Sequence, residues 1–489
     1  MKLNFNTYKD KVHACWIGKN IGGTMGTPYE GQRKMHDIQG FVTEKSVVLP
    51  NDDLDLQLVW LTAVERFGAA RVNAQLLGEF WISFVTPHWN EYGIGKANMK
   101  MGIMPPLCGD AFNKWKHSNG AWIRTEIWAC LAPGCPDVAA KYAYEDACID
   151  HGAEGEGTVA AVFVAALESA AFFEHDIRKL INIGLSKIPE TSRLYKSINV
   201  LLDCYDSGKD YITARNAVFE TNADIGDGWF EAPSNVSYAV LGLLYGEGDF
   251  KKSMIYAINC GDDTDCTGAT VGSILGLMYG SAGIPTDWAE HIGDSISTIS
   301  IPLGAHHTIP KTCKELTERV VRLAPCVLIQ NYADTELWDG EDEIPESIYE
   351  DTLADCARTK ALFERPAYSV TVDMIHSTAT AILPGDPKIR PGETMKIRVD
   401  FVNNVNVPNR GLDQSSPLFM KLRWILPEGF SITGDKCVYL DHCNAHNTAK
   451  ASAEFELTCE SCESVNRIVL EIVADGRLTP GYISLVLIG

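Results

Sequence analysis

Gly261-Asp262-Asp263-Thr264-Asp265-Cys266 sets three carboxylates into four positions directly ahead of a small, apolar run from Thr267 to Leu277. The run reads as a buried helix. Carboxylates at the mouth of such a helix are unfavourable unless they are paired or bind a cation. A helix N-terminus stabilises negative charge by only about 1 kcal/mol, whereas clustered oxygens are the ligands of a hard divalent cation. Asp263 and Asp265, two apart in a turn, can aim at one ion. A second cluster of the same design, Asn51-Asp52-Asp53-Leu54-Asp55, precedes Leu56, Leu58, Val59, Trp60 and Leu61. Taken singly, either cluster reads equally as a polar cap on a core helix. Taken together, two caps about 210 residues apart can supply opposite halves of a two-metal site.

The elements that must carry these clusters are helical. Residues 11–27 read as a helix with Gly18, Gly22 and Gly26 on one stripe, and the helix after Asp265 repeats this with Gly268, Gly272, Gly276 and Gly280. Glycine costs about 1 kcal/mol at each helical position, so such stripes need a packing reason, and these two helices are expected to be central and to touch. Glu30, in the turn Thr27-Pro28-Tyr29-Glu30-Gly31, is either a solvated loop acid or a site residue. Helices are expected at 56–67, 71–85, 122–131, 137–150, 159–173, 177–185, 192–207, 211–219, 235–246 and 250–259. An irregular Gly/Pro/Met-rich region is expected at 87–110 and a loop at Asp224–Trp229. Almost no strand pattern occurs before about residue 330.

From Pro366 the period changes to two, through Val370, Val372 and Met374, then Met395, Ile397, Val399 and Phe401, and on to Val469 and Ile472. About seven short strands between turns such as Pro391-Gly392-Glu393 imply a β-sandwich of immunoglobulin-like type. The expected organisation is an all-α domain over 1–331, an acidic connector with a short helix over 332–365, and an accessory β-sandwich over 366–489.

The 489 residues carry a net charge of −22, which repels phosphate backbones and excludes nucleic acid as a main partner. No apolar stretch reaches the about 18 residues of a membrane span, and Met1-Lys2-Leu3-Asn4-Phe5-Asn6 lacks the design of a signal peptide. The 15 cysteines are odd in number and mostly sit in apolar contexts, which fits reduced thiols and a cytoplasmic location. Cys437, Cys443, Cys459 and Cys462 match no standard zinc spacing.

Several of these stretches together resemble the ADP-ribosylglycohydrolase family. The first helix and its exit, Gly18 to Glu30, is similar to its G-x-x-x-G-x-P-x-E opening, and Asn51-Asp52-Asp53-Leu54 to its T-D-D-T. Ser118-Asn119-Gly120-Ala121-Trp122-Ile123-Arg124 is similar to its N-G-x-x-M-R loop, Ile149-Asp150-His151 falls at its T-H, and Gly261 to Cys266 resembles G-G-D-T-D-T. The resemblance covers about residues 10–300 and excludes the sandwich. It implies an all-α orthogonal bundle holding two Mg²⁺ ions, with Mn²⁺ or Ca²⁺ as alternatives. It implies Asn51, Asp52, Asp53, Asp263, Asp265 and Cys266 as metal ligands, Glu30 and Asp52 as catalytic carboxylates, and Asn119, Gly120, Ala121, Asp150 and His151 as substrate-binding residues. Asn51 and Cys266 stand where the family has threonines; an amide oxygen can replace a hydroxyl on Mg²⁺, but a thiol is a poor hard-metal ligand.

The expected activity is hydrolysis at C1 of a ribose-like sugar in a small glycoside or an ADP-ribosylated substrate. The alternatives are an uncharged, non-ADP-ribose glycoside and a non-catalytic ligand-binding protein on the same fold. Asp150, Glu154 and Glu156 add negative charge where the family's substrate carries phosphates, so weak binding of ADP-ribose is expected.

Overall fold

A computed structural model describes residues 1–226, 229–302, 309–404, 417–441 and 449–489. By its internal contacts the chain forms two compact units, one of Met1–Gly93 with Lys114–Glu364 and one of Ile94–Asn113 with Arg365–Gly489.

The first unit is helical. Its opening helix, Phe5–Gly26, starts at Asn4, whose side chain accepts from the N–H groups of Asn6 and Thr7. It packs along the helix Thr264–Tyr279 through the two glycine stripes. A Cβ on Gly18 would lie 2.1 Å from the Gly272 carbonyl oxygen, and one on Gly22 would lie 2.0 Å from the Gly268 carbonyl carbon. The helices therefore touch backbone to backbone, as their sequence requires. Gly280 lies outside the stripe; it ends the helix at φ +66°. The helix Asp52–Phe67 is capped by Asn51, and the remaining expected helices are present with ends moved by a few residues.

Three expectations need correction. Residues 87–110 are not irregular: they hold the helices Asn90–Met101 and Leu107–Asp110. The glycines that argue against a helix there are packing features, since a Cβ on Gly93 would lie 2.3 Å from the His88 carbonyl oxygen. The chain before residue 330 contains a strand, β1 (Lys2–Asn4), which pairs in parallel with β2 (Glu336–Trp338). The acidic 332–364 stretch thus belongs to the helical unit. Lys2 lies over the Trp338 ring at 4.4 Å and pairs with Glu343 at 3.0 Å. Two short helices follow, Ile348–Ala354 and Ala357–Phe363. Of the Asp224–Trp229 loop, residues 227 and 228 lie outside the described residues.

The second unit is built on two antiparallel sheets. Its strands are β3 (Ser369–Asp373), β4 (Ser377–Ile382), β5 (Thr394–Asn403), β6 (Leu418–Ile425), β7 (Phe430–Gly434), β8 (Cys437–Leu440), β9 (Lys450–Cys459), β10 (Val465–Ala474) and β11 (Gly481–Ile488). One sheet has the order β3-β4-β5-β9-β7 and the other β11-β10-β6-β8. Alternate residues of β5, β9 and β10 are buried, which is the period-two pattern of their sequence. The count of seven strands falls short because the edge strands β7 and β8 are only five and four residues long. Among the described residues every cysteine is a free thiol; Cys443 is not among them. No helix among the described residues is long and apolar enough to cross a membrane.

The second unit also takes in residues 94–113. The Phe112 N–H donates to Asp386 at 2.9 Å, the Tyr368 N–H donates to Asp110 at 3.2 Å, and Gly102 faces Arg467 and Val486. A chain ending at Glu364 is therefore expected to be poorly soluble, because Ile103, Leu107 and Ala111, all buried in the whole protein, lose part of their cover. Soluble yield and light scattering of the truncated protein check this.

Candidate active site

The glycine contact between the two central helices decides where the acids meet. Gly26 abuts the backbone of Thr264 and Asp265, and the Thr264 hydroxyl donates to the Gly26 carbonyl at 2.8 Å. The opening helix thus delivers Glu30 beside the start of the Thr264–Tyr279 helix. Gly261 and Asp262 hold φ of +78° and +69° and turn the chain into that helix. The Asp262 carboxylate accepts from Asn235 at 3.2 Å, which fixes the turn and leaves Asp263 and Asp265 to face the cluster.

Two groups of acid atoms converge there. Oxygens of Glu30, Asp263 and Asp265 lie within 4.8 Å of one another, as do side-chain atoms of Asp53, Asp265 and Cys266. Asp52 joins them at the wall of a cavity of about 450 Å³ that Glu30, Asp263, Asp265 and Cys266 also line. The charge of Asp265, then burial, pushes the Glu30 carboxyl up to about 8. Burial, then Asp265, pushes Asp52 up to about 6. Burial drives Asp53 and Asp263 well above the carboxylate range, with Asp265 adding to it and Lys19 opposing it at Asp53.

A chain that crowds five carboxyls in this way has made room for positive charge. The Asp53 Oδ2 and Asp265 Oδ1 atoms are buried without a hydrogen-bond partner. Orphaned buried oxygens amid a donor set of carboxylates, with the Cys266 thiol beside two of them, fit a hard divalent cation. Part of the compensation comes from Lys19. Its ammonium donates to Glu126 at 2.6 Å and to the Ile123 carbonyl at 2.8 Å, and lies 3.9 Å from Asp53. Burial works to lower the Lys19 pKa, but Glu126 and Asp53 outweigh it and hold the ammonium above its usual range. Lys19→Met is expected to destabilise the fold by about 3–5 kcal/mol, because it leaves buried charge unpaired; chemical denaturation measures it.

The sequence profile described as ADP-ribosylglycohydrolase matches residues 4–324. The chain belongs to the ADP-ribosylglycohydrolase family. Human ADP-ribosylhydrolase ARH3 is 23% identical over 257 residues, 45% of this chain and 68% of that protein. ADP-ribosylarginine hydrolase Tri1 of Pseudomonas putida (strain GB-1) is 33% identical over 54 residues, 11% of this chain and 15% of that protein. A solved structure described as an ADP-ribosylglycohydrolase-related protein complex is similar over 66% of this chain and 99% of its own, at a TM-score of 0.42 and 18% identity. ADP-ribosylglycohydrolase membership supports glycohydrolase activity at that coarse level.

Not every residue that the ADP-ribosylglycohydrolase motifs single out lies at the cavity. Asn119 and Gly120 line it. The Asn119 amide donates to Asp263 at 2.6 Å and accepts from the Trp122 indole at 2.9 Å. Ala121, Asp150 and His151 are buried outside the lining. Asp150 pairs with the fully buried Arg124 at 2.8 Å, and Arg124 also donates to Asp146 at 2.9 Å and to the Gly120 carbonyl. Asp150, through Arg124, braces the Asn119–Gly120 turn from behind, while the His151 ring meets the Lys116 carbonyl at 3.2 Å. Burial lowers the His151 pKa, so its ring is neutral. Asn51 spends its side-chain oxygen on the Asp53 N–H at 2.8 Å. Cys266 donates its thiol hydrogen to Asp53 at 3.2 Å, and burial with the neighbouring carboxylates raises its pKa well above the ordinary thiol value.

The expected repulsion of phosphates by Asp150, Glu154 and Glu156 does not hold. Asp150 is paired with Arg124, Glu154 is exposed, and Glu156 accepts from the Arg193 and Leu194 N–H groups at 2.7 and 3.0 Å, capping a helix. Negative charge at the cavity comes from other residues. Glu91 and Tyr92, at the start of the Asn90–Met101 helix, are wall residues that the motifs do not reach. The Tyr92 hydroxyl donates to Asp52 at 3.0 Å, and the Gly120 N–H donates to Glu91 at 3.1 Å. Trp89 and Phe230 add aromatic surface to the cavity.

Proposed function

We propose that this chain is a divalent-metal-dependent glycoside hydrolase that breaks the bond at C1 of a ribose-like sugar, in an ADP-ribosylated substrate or a related N- or O-glycoside. The observation that carries the reading is the convergence of Glu30, Asp52, Asp263 and Asp265 at one cavity, with Asp53 within 4.8 Å of Asp265. Asp52, Asp53, Asp263 and Asp265 would hold the cations, Mg²⁺ first among the candidates, with Glu30 beside them. Bound divalent ions supply positive charge that orients sugar hydroxyls and favours ionisation of water. Cys266 acts as a hydrogen-bond donor that orients Asp53, and Asn119 does the same for Asp263. Tyr92 holds Asp52. Glu30 or Asp52 takes the proton of the attacking water. Trp89 and Phe230 offer ring faces to a flat or sugar-like aglycone.

A second reading, an uncharged glycoside rather than ADP-ribose, has support in the walls: none of the described lining residues is a lysine or arginine. A hydrolysis screen tests both. ADP-ribosylated peptide and uncharged N- and O-ribosides are offered with Mg²⁺, Mn²⁺ or Ca²⁺, and again with chelator. Chelator-sensitive release of free sugar is the expected result. Turnover that is unaffected by chelator overturns the metal role, and saturable binding without turnover leaves a binding protein.

A further inference from the structure

Glu91 stands outside the acidic cluster yet opens on the same cavity, and nothing in the reaction described so far uses it. It is only 6% exposed. Its Oε1 accepts the Gly120 N–H at 3.1 Å. Its Oε2 is buried with no hydrogen-bond partner. The Ser118 hydroxyl beside it is already given to the Trp115 carbonyl at 2.6 Å.

Two adjacent residues on each of two segments set its position. Tyr92 reaches Asp52 while Glu91 beside it reaches Gly120. Asn119 reaches Asp263 while Gly120 beside it receives Glu91. Both tethers run to the acidic cluster, so Glu91 keeps a fixed place next to it without joining it. A backbone N–H aimed at Oε1 makes that oxygen the acceptor, which leaves Oε2 as the site of a proton and as the oxygen free to give it.

Resting on the glycosidase reading above, we propose that Glu91 is the general acid of the reaction, protonating the leaving group through Oε2. The C1–X bond breaks with its electron pair on X, and X takes the Glu91 proton. The water oxygen bonds to C1 and loses its proton to Glu30 or Asp52. Glu91 regains a proton from solvent as product leaves. Hydrolysis by two carboxyls needs one held protonated and one held ionised. The surroundings of Glu91 supply the first condition: burial, then the charge of Asp150, raises its pKa to about 8, against the opposing effects of the Ser118 hydroxyl and the charge of Arg124. Tyr92, the other titratable group packed against it, stays neutral because burial and the charge of Asp52 raise its pKa well above the usual range.

The test compares two ribosides that differ only in the leaving group, one an amide or alcohol that must be protonated and one 4-nitrophenolate, which leaves as an anion. General acid catalysis is worth about 10²–10⁴-fold, so Glu91→Gln is expected to lower kcat at least about 100-fold on the first substrate and to change it little on the second, with KM held. Glutamine keeps an oxygen for the Gly120 N–H. In Glu91→Ala, an added weak acid that is protonated near neutrality, such as imidazolium, is expected to restore turnover of the first substrate. The parent protein gives a reading without any variant: on the first substrate kcat/KM falls as pH rises through about 8, as the acid ionises, and on the nitrophenyl substrate this limb is absent. Equal loss on both substrates, or the same basic limb on both, overturns the assignment of Glu91 alone. A parent protein inert on both overturns the glycosidase reading with it.

Discussion

Asp265→Asn is expected to melt above the parent protein in chelator and below it in millimolar Mg²⁺. Asp265 is the carboxylate whose charge raises Glu30, Asp52, Asp53 and Asp263 together. Without a cation, these acids oppose folding through burial and mutual repulsion, and removing the shared neighbour relieves several of them at once. A gain of about 1–2 kcal/mol is the scale at which a strained functional site yields stability when it is neutralised. With a cation the sign reverses. A ligand at 100 times its Kd stabilises the native state by about 2.7 kcal/mol for each site, and the variant forgoes that with its affinity. Hydrolysis should fall to background in the same variant. Thermal melts of both proteins, with chelator and with Mg²⁺, decide the matter. If neither curve moves with metal and the variant is not stabilised, the acids do not form a cation site.

Gly22→Ala is the second large effect, and it acts on the frame rather than on the chemistry. Its Cβ would sit 2.0 Å from the carbonyl carbon and oxygen of Gly268. The obstacle is backbone, which cannot rotate away as a side chain can. Alanine gains about 1 kcal/mol in helix propensity, but forcing the two central helices apart is expected to cost upward of about 4 kcal/mol, in the range reserved for severe packing faults. The same displacement would carry Gly26, and Glu30 after it, away from Asp265, so any folded remainder should bind metal poorly. Gly40→Ala serves as the control, because no atom lies within 4 Å of a Cβ at that position. Equal stability of Gly22→Ala and the parent in denaturant would refute the backbone contact.

The acidic clusters and the glycine stripes were legible because each breaks a local rule. Carboxylates do not ordinarily precede buried helices, and glycine does not ordinarily recur along one, so both residue types announce a tertiary reason. The two-sheet unit was legible from its period of two. Glu91 and Tyr92 were not, because Gly93 and Gly95 dilute the apolar pattern of the Asn90–Met101 helix and no motif covers it. Lys19 left a faint signal as a charge set between the apolar stretches Trp16-Ile17-Gly18 and Ile21-Gly22-Gly23 of a buried helix. Asp150 and His151, expected among the substrate-binding residues, lie outside the cavity lining. Motif position gives a residue's neighbourhood, and only the ion pair with Arg124 reveals that Asp150 braces the Asn119–Gly120 turn from behind. The β1–β2 pairing could not be read at all, since three-residue strands carry no period.

The pairing of Phe5–Gly26 with Thr264–Tyr279 also imposes a waiting time. A ribosome adds about 5–20 residues per second, so the opening helix emerges roughly 10–50 s before its partner exists. During that interval the stripe of Gly18, Gly22 and Gly26 lacks its partner, and the glycines that suit the finished contact weaken the helix on its own. The opening helix is therefore expected to dock only once the second acidic cluster is made, and slower translation should lower the soluble yield rather than raise it.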